Sequence, residues 1–203
     1  MGKIVTKIVL FSNRIITGVV NLLSTIRCRI LIGNVGDNTK FRKQCLLQGD
    51  LLSKVVIGKS CDFDSYCVIG ARTSDYYMGK DIITIGDNCV FGQYNHITAT
   101  NRIKIGNNLL TGRFVLITDN SHGDYSYDNL QKHPSSRKII SKGEVVIGDN
   151  VWIGDKVSIM GGVHIGDGCI IGANSVVTHD IPCYSIAVGS PAKIVKTISC
   201  DNY

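Results

Sequence analysis

The sequence predicts a mainly β fold, a left-handed parallel β-helix of hexapeptide repeats with an N-terminal amphipathic helix and one extended loop. Two observations predict the solenoid: an aliphatic side chain recurs every six residues, and glycine or a turn former usually follows it. A third observation, a stripe of apolar side chains with helical spacing near the N-terminus, predicts the helix.

The six-residue repeat is clearest in the C-terminal part of the chain. Its members there are β-branched: Ile147, Ile153, Ile159, Ile165, Ile171 and Val177. A period of six fits neither an α-helix nor a hairpin of alternating strands. It fits a solenoid in which three hexapeptides form one coil of about 18 residues and each aliphatic side chain points inward.

The repeat also appears earlier in the chain, in blocks that differ in phase, and it covers roughly residues 53–195. The earlier members are Ile57, Phe63, Ile69, Ile85, Phe91, Ile97, Ile103, Ile105, Thr111 and Ile117. The changes of phase predict loops at 71–84 and near 103–105, and the repeat is lost over 123–146. We therefore divide the chain into an N-terminal helical segment (1–36), a solenoid domain with loop 123–146 (37–196) and a C-terminal tail (197–203).

The eight cysteines are interpreted as free thiols in a cytoplasmic protein, because their spacings match neither a zinc site nor a disulfide framework. Four of them occupy the small, inward fifth position of the repeat: Cys61, Cys67, Cys89 and Cys169. Strand alternation predicts that sixth-position residues point outward from the coil wall. Those residues are His96, His122, Trp152 and His164.

His122 is the candidate catalytic residue, because it stands where the repeat gives way to a long polar loop. An imidazole titrates near neutrality and can take a proton from a hydroxyl group that attacks a thioester. Asp119, Asp124 or a backbone carbonyl could orient its ring. No histidine lies five residues to either side of His122, so the spacing does not favour a metal site.

Two stretches of the sequence are similar to hexapeptide-repeat acyltransferases. The first is 117–126 (ITDNSHGDYS), and the second is 147–154 (IGDNVWIG), continuing through 171–178 to 189–193. The resemblance is strongest to O-acetyltransferases of O-antigen and capsular polysaccharides and to galactoside and maltose O-acetyltransferases. It implies a homotrimer with active sites between subunits, acetyl-CoA as co-substrate with no metal, and direct acetyl transfer with His122 as general base.

The resemblance also implies further site residues. Positions matching coenzyme A contacts of the family are Trp152, Asp155, Ala173, Thr178, His179, Lys193 and Lys196. Asp155 and His179 depart from the family's usual serine and lysine. Gly92 stands where galactoside relatives have a sugar-binding asparagine, so acceptor recognition does not carry over. Neighbourhood candidates for the acceptor are Tyr94, His96, Asp119 and Asn120.

Several functions remain open at this point. The leading hypothesis is acetyl transfer to a sugar hydroxyl of a cell-surface polysaccharide or its precursor. Alternatives are N-acetylation of a nucleotide-linked aminosugar, inactivation of an antibiotic by acetylation, and a solenoid that binds glycans or proteins without catalysis.

Residues 3–31 predict an amphipathic helix whose apolar side chains recur every three or four residues. Residues 1–43 carry eight basic side chains against Asp37 alone, whereas the rest of the chain is nearly neutral, and we expect no nucleic-acid partner. The helix either lies on the inner face of the membrane or packs against the end of the solenoid or a neighbouring subunit. The longest uncharged run, 15–26, is too short to span a bilayer.

Overall fold

The structure, a computed structural model, describes residues 2–198, with side chains described from residue 11 onward. Successive coils of the chain form a three-sided prism whose sides are parallel β-sheets, so the predicted left-handed parallel β-helix is confirmed. The predicted N-terminal helix is also present, as α1 (Gly2–Leu31). Residues 199–203 of the predicted tail, with Cys200, lie outside the described residues.

Each side of the prism is one sheet to which the coils contribute short parallel strands, and the last strand of the second sheet is added antiparallel to its neighbour. The first sheet contains β1 (Asn34–Val35), β4 (Val55–Ile57), β7 (Ile83–Ile85), β10 (Ile103–Ile105), β15 (Val145–Ile147) and β18 (His164–Ile165). The second contains β2 (Lys40–Phe41), β5 (Asp62–Phe63), β8 (Val90–Phe91), β11 (Leu110–Thr111), β16 (Trp152–Ile153), β19 (Ile170–Ile171), β21 (Ser185–Val188) and β22 (Lys193–Thr197). The third contains β3 (Leu46–Gln48), β6 (Val68–Ala71), β9 (His96–Ala99), β12 (Leu116–Thr118), β17 (Ser158–Ile159) and β20 (Val176–Val177).

The core is a set of ladders in which equivalent inward residues of successive coils stack. Phe63 lies between Phe41 and Phe91, with ring centroids 4.7 and 4.5 Å apart and no exposure of any of the three rings. Toward the C-terminal end of the solenoid, aliphatic residues such as Ile153 and Ile171 occupy the equivalent positions of this ladder. The stacking converts a sequence period into continuous apolar contact along the axis, which is the main stabilising contribution of the fold.

The cysteines predicted to pack inward are buried. Cys61, Cys67, Cys89 and Cys169 are at most 2% exposed, and the seven cysteines among the described residues are free thiols. Hydrogen bonding with the neighbouring Cys89 thiol is the main influence on the Cys61 thiol and lowers its pKa. Because both side chains are closed to solvent, this thiol is not a nucleophile that a substrate can reach.

The first corner of the prism joins the first sheet to the second, and the second corner joins the second sheet to the third. Both corners keep the repeat regular. Inward residues on either side of them stay six apart, as in Ile57, Phe63 and Ile69. The third corner, which leads from the third sheet to the first sheet of the next coil, varies instead. From Ile69 in the third sheet to Ile85 in the first sheet of the next coil the interval is sixteen residues.

The changes of phase in the sequence all fall at this third corner. The predicted loop at 71–84 corresponds to an insertion over 72–82 between β6 and β7. The loop predicted near 103–105 is wrong, because these residues are strand β10 and the two extra residues lie in the turn just before it. The phase changes there because the turn is longer, while the strand keeps its register.

The longest insertion forms an arm over residues 119–144. At its root β13 (Asn120–His122) pairs antiparallel with β14 (Ile139–Ser141). Its outer part holds the short helix α2 (Tyr127–Leu130) and a 3-10 turn at Pro134–Ser136. The chain therefore leaves the coil before residue 123, where the sequence pattern places the start of the loop.

The helix α1 covers the open end of the first coil with its C-terminal part only. Cys28 and Ile32 are buried there, and the Thr25 hydroxyl and the backbone N–H of Phe41 are hydrogen-bonded at 3.0 Å. The Arg29 guanidinium donates to the carbonyl of Gly36 at 2.7 Å. The N-terminal half of α1 extends past this contact, with every side chain from 11 to 20 exposed.

Candidate active site

A cavity of about 180 Å³ lies at the third corner, between the root of the arm and the coil wall. It is lined by Asp119, Asn120, Ser121, Tyr125, Lys142, Met160, Gly161 and Thr178. The arm supplies five of these residues and the two following coils supply the rest. The cavity thus exists because the arm folds back over a wall that the repeat keeps regular.

Asp119 fixes the path by which the chain enters the arm. Its carboxylate is fully buried and accepts hydrogen bonds from the backbone N–H groups of Thr100 and Asn101 at 2.9 and 2.8 Å, and from the Asn120 amide at 3.0 Å. These donors compensate the buried charge. Asp119 therefore joins two successive third corners, and its oxygens are already engaged within the protein.

His122 lies on β13, opposite Ile139 of the partner strand, and its side chain is exposed. The expectation that it projects outward is met, but the reason given for it is wrong. The chain has already left the coil, so His122 stands on the ribbon at the root of the arm and not on the coil wall. Within the described residues, the His122 ring makes no hydrogen bond.

Neither carboxylate considered as an orienting group for His122 serves that purpose here. Asp119 is occupied as described above. The Asp124 carboxylate accepts from the Asn129 amide at 2.7 Å and from the Ser126 backbone N–H at 2.9 Å, and these bonds lower its pKa to about 2. Asp124 thus orders the start of α2, which begins with Ser126 as its N-cap.

Five of the eight cavity residues were not predicted from the sequence: Ser121, Tyr125, Lys142, Met160 and Gly161. The Lys142 ammonium lies 5.4 Å from the centre of the Tyr125 ring, a cation–π contact between two arm residues that line the cavity. Tyr125 falls inside the stretch that carries the family resemblance, so its motif was a usable signal. Lys142 carries no such signal, because only the fold-back of the arm brings it to the cavity.

Other predicted site residues gather on the second sheet and the second corner. Trp152, Asp155 and Ala173 line one shallow groove of about 400 Å³, and Trp152 is 52% exposed. Pairing places Lys196 in the same outward row as Trp152, three strands farther along the sheet. The Asp155 carboxylate accepts the backbone N–H of Arg113 at 2.8 Å, so it also has a role in stacking the corners.

The remaining cofactor candidates lie at different places. Thr178 and His179 are at the third corner, where the Thr178 hydroxyl and the His179 Nδ1 are 2.9 Å apart and Thr178 lines the cavity of the arm. Lys193 is exposed at the start of β22 and pairs with Val188 on the second sheet.

Tyr94 and His96 do not contact the cavity. Tyr94 is stacked between Tyr66 and Phe114 at the second corner, with ring centroids 4.7 and 4.9 Å away, so both faces of its ring are covered. His96 projects from the third sheet, where burial and the nearby Arg72 lower the pKa of its imidazole. A sugar ring could stack on neither face of Tyr94.

In one chain, the predicted site residues therefore form two groups at opposite edges of the third sheet. The third corner holds Asp119, Asn120, His122, Thr178 and His179. The second sheet and second corner hold Trp152, Asp155, Ala173, Lys193 and Lys196. Among the residues that the structure describes, no three His, Cys, Asp or Glu side chains are placed to bind a metal ion.

Comparison with known proteins shows which families and structures this chain is similar to. The family model "Bacterial transferase hexapeptide (six repeats)" matches residues 144–179. The chain is 36% identical over 131 residues to the Escherichia coli K12 protein named lipopolysaccharide biosynthesis O-acetyl transferase WbbJ, covering 63% of the chain and 66% of that protein. It is 41% identical over 114 residues to a Mycobacterium tuberculosis protein named as an acetyltransferase, covering 56% of the chain and 37% of that protein.

The chain thus spans just under two thirds of the first of these relatives and little more than a third of the second. Among solved structures, it is similar to AntD, an N-acyltransferase from Bacillus cereus crystallised with dTDP-4-amino-4,6-dideoxyglucose and coenzyme A. The TM-score is 0.71 at 22% identity, covering 84% of this chain and 87% of AntD, and it establishes the fold. Repeat and relatives agree: residues 144–179 carry the hexapeptide repeat of bacterial transferases, and the chain is similar to acetyltransferases.

Proposed function

We propose that this protein is an acetyl-CoA-dependent O-acetyltransferase whose acceptor is a sugar hydroxyl of a cell-surface polysaccharide, O-antigen or capsule, or of its precursor. The observation that carries the proposal is the exposed His122 at the root of an arm that encloses a cavity against the coil wall. Similarity to WbbJ, named for lipopolysaccharide biosynthesis, supports the class of acceptor.

In the proposed reaction His122 is the general base. Its ring accepts the proton of the acceptor hydroxyl while the hydroxyl oxygen attacks the carbonyl carbon of the acetyl thioester. The C–S bond then breaks, and the imidazolium returns the proton to the departing sulfur, which leaves as free coenzyme A. The transfer is direct and needs no acyl-cysteine, in agreement with the burial of every described cysteine except Cys183.

We propose that the functional form is a homotrimer with active sites between subunits. The two groups of candidate residues lie on opposite edges of the third sheet, so the Trp152 groove of one copy would have to face the third corner of a neighbour. The second sheet offers a surface for this contact, because Val90, Leu110 and Trp152 form an outward row and are 43–52% exposed. Such a row is typical of subunit interfaces.

Replacing the base tests the proposed reaction. We expect H122A to reduce acetyl-CoA turnover, measured as release of free thiol with a panel of sugars, by about 100-fold or more, the usual contribution of a general base. H133A, which removes another exposed imidazole of the same arm, should retain activity within about threefold. Equal activity of H122A and the wild type would refute the assignment of His122.

Co-expression of two inactive variants tests the shared site. In a trimer whose sites each use His122 of one copy and Trp152 of the next, random mixing of H122A and W152A subunits leaves both residues intact in about a quarter of the sites. Activity near a quarter of the wild type supports the arrangement. No recovery in mixed trimers of confirmed composition contradicts it.

N-acetylation of a nucleotide-linked aminosugar is the second candidate, because AntD was crystallised with a dTDP-aminosugar and shares the fold. An amine acceptor would lose its proton to His122 in the same way. Treatment of the radiolabelled product with alkaline hydroxylamine distinguishes an O-acetyl from an N-acetyl product, since it cleaves acetyl esters and leaves amides intact. A resistant product would replace the O-acetyltransferase proposal with the N-acetyltransferase one.

We also propose a cytoplasmic location. The described thiols are unpaired, and six of the seven are buried as packing residues, an arrangement typical of a reducing compartment. No helix within the described residues is long and apolar enough to cross a bilayer.

A further inference from the structure

We propose that helix α1 attaches this protein to the surface of an anionic lipid bilayer, with its apolar face lying in the interface. The apolar face consists of Phe11, Ile15, Val19, Leu22 and Ile26, which recur every three or four residues and are 46–66% exposed. Five further large apolar side chains of α1 are exposed beside this face: Ile16, Val20, Leu23, Ile30 and Leu31. So many large apolar side chains left in water along one helix are unusual for a surface that has no partner. The inference does not depend on the chemistry at His122.

The apolar face is separate from the side of α1 that caps the solenoid. The capping side is formed by Asn21, Thr25, Cys28 and Ile32. The Asn21 amide oxygen accepts a hydrogen bond from the Lys43 backbone N–H of the first coil at 2.9 Å. At 3.6 residues per turn, the two sets point roughly 110° apart around the helix axis. Docking to the protein's own core therefore leaves the apolar face free.

Charge decides which occupant fits this face. The helix contains no acidic residue between Gly2 and Leu31, while its sequence includes Lys3, Lys7, Arg14 and Arg27. The guanidinium of its fifth basic residue, Arg29, is held by backbone carbonyls of the first coil. A second copy of α1 would bring like charges together without any carboxylate for an ion pair between helices. Anionic lipid headgroups complement the charge, and each basic residue near such a surface adds to the attraction.

Length and hydropathy determine how the helix would lie. No described helix has an apolar segment able to span a bilayer, so α1 would lie in the plane of the interface rather than across it. Its 30 residues extend about 45 Å, and the part that precedes the cap is long enough to place the whole apolar face on the lipid surface. The solenoid is then held beside the membrane by the turn of α1 that ends at the first coil.

Vesicle flotation of the full chain tests the proposal. We expect the protein to float with phosphatidylcholine vesicles that contain about 30% phosphatidylglycerol, at least about tenfold more than with phosphatidylcholine alone, and to be released as salt is raised. The double variant I15Q/V19Q should lose at least about tenfold in bound fraction, because two apolar side chains no longer enter the interface. The matched control T17Q changes an exposed residue outside the apolar face and should float like the wild type.

Thermal unfolding of all three proteins, compared at equal concentration, checks that the solenoid remains folded. Absence of flotation of the wild type, or equal flotation of I15Q/V19Q and the wild type, overturns the proposal. It is also overturned if light scattering shows that I15Q/V19Q loses subunits relative to the wild type, since the apolar face would then belong to an interface between copies. None of these outcomes depends on acetyl-CoA turnover, so they leave the proposed function untouched.

Discussion

The first two corners of the prism and its third corner differ in how the chain turns from one sheet to the next. At the first corner, Asn88, Asn108 and Asn150 adopt positive φ angles near 57° and their amides form a ladder, with Asn108 donating to Asn150 at 3.0 Å. The third corner has no fixed length, and its longest insertion becomes the arm that carries His122. A solenoid can vary one corner freely because the strands on both sides of it keep their register through the other two.

Because of this difference, the residues that stabilise the fold and the residues of the candidate active site lie in different parts of the coil. Residues of the regular corners and of the core stack on their equivalents in the next coil, so each change there disturbs at least two neighbours. Residues of the arm contact the solenoid mainly at its root. We therefore expect substitutions in the two regions to affect different measurements, and the following predictions test that expectation from the largest effect to the smallest.

The largest effect should come from the aromatic ladder of the core. F63A removes the ring that lies between Phe41 and Phe91 and leaves a cavity that rigid stacked coils cannot close. We expect a loss of about 3–5 kcal/mol in the free energy of unfolding, measured by urea denaturation. F114A, at the second corner with 52% of its side chain exposed, should lose no more than about 1 kcal/mol. Similar losses in the two variants would mean that the core ladder does not dominate stability.

Asp119 provides the one place where the third corner should be as sensitive as the core. In D119N an amide group would face the N–H donors of Thr100 and Asn101 inside a fully buried site, and we expect a loss of about 2–3 kcal/mol. Its counterpart D149N alters a partly exposed carboxylate of the first corner, which accepts from the Asn107 N–H at 2.6 Å. That variant should lose about 1 kcal/mol or less, because water can satisfy the groups it leaves unpaired. If D119N unfolds like the wild type, Asp119 does not anchor the arm.

Most of the solenoid could be predicted from the sequence, because an inward aliphatic every six residues has one geometric solution. The first coil was harder: Phe41 and Leu47 are six apart, yet the four extra residues of the next third corner hide their relation to Ile57. The loss of the repeat over 123–146 predicted an insertion, but the fold of the arm could not be predicted, since β13 and β14 pair across a segment that no period governs. His122 was found from its chemistry and family motif, whereas its place on a ribbon, and the cavity contribution of Lys142, depend on that pairing.

Shortening the arm should separate the effect on stability from the effect on activity further. Because His122 pairs with Ile139, residues 123–138 can be replaced by a two-residue Asn-Gly hairpin turn without breaking the ribbon. The helix α2 and the 3-10 turn contain no buried residues, so the free energy of unfolding should change by about 1 kcal/mol or less. We place the acceptor in the cavity next to the proposed base, so loss of Tyr125 from its lining should raise the KM for the acceptor in the thiol-release assay. A large loss of stability would show that the arm supports the solenoid.

The smallest effect concerns His96 on the third sheet. Burial, followed by the charge of Arg72, lowers the pKa of its imidazole below the ordinary value of 6.5, so the folded protein resists protonation there more than the unfolded chain does. The unfolded state then binds more protons as the pH falls below about 6.5, and stability is lost with decreasing pH. Since His96 is exposed and water screens its charge, the loss should stay below about 0.5 kcal/mol between pH 7 and 5. H96Q should show a correspondingly flatter dependence of the unfolding midpoint on pH, whereas H133Q, on the arm, should keep the slope of the wild type; an unchanged slope in H96Q would remove His96 as a source of acid sensitivity.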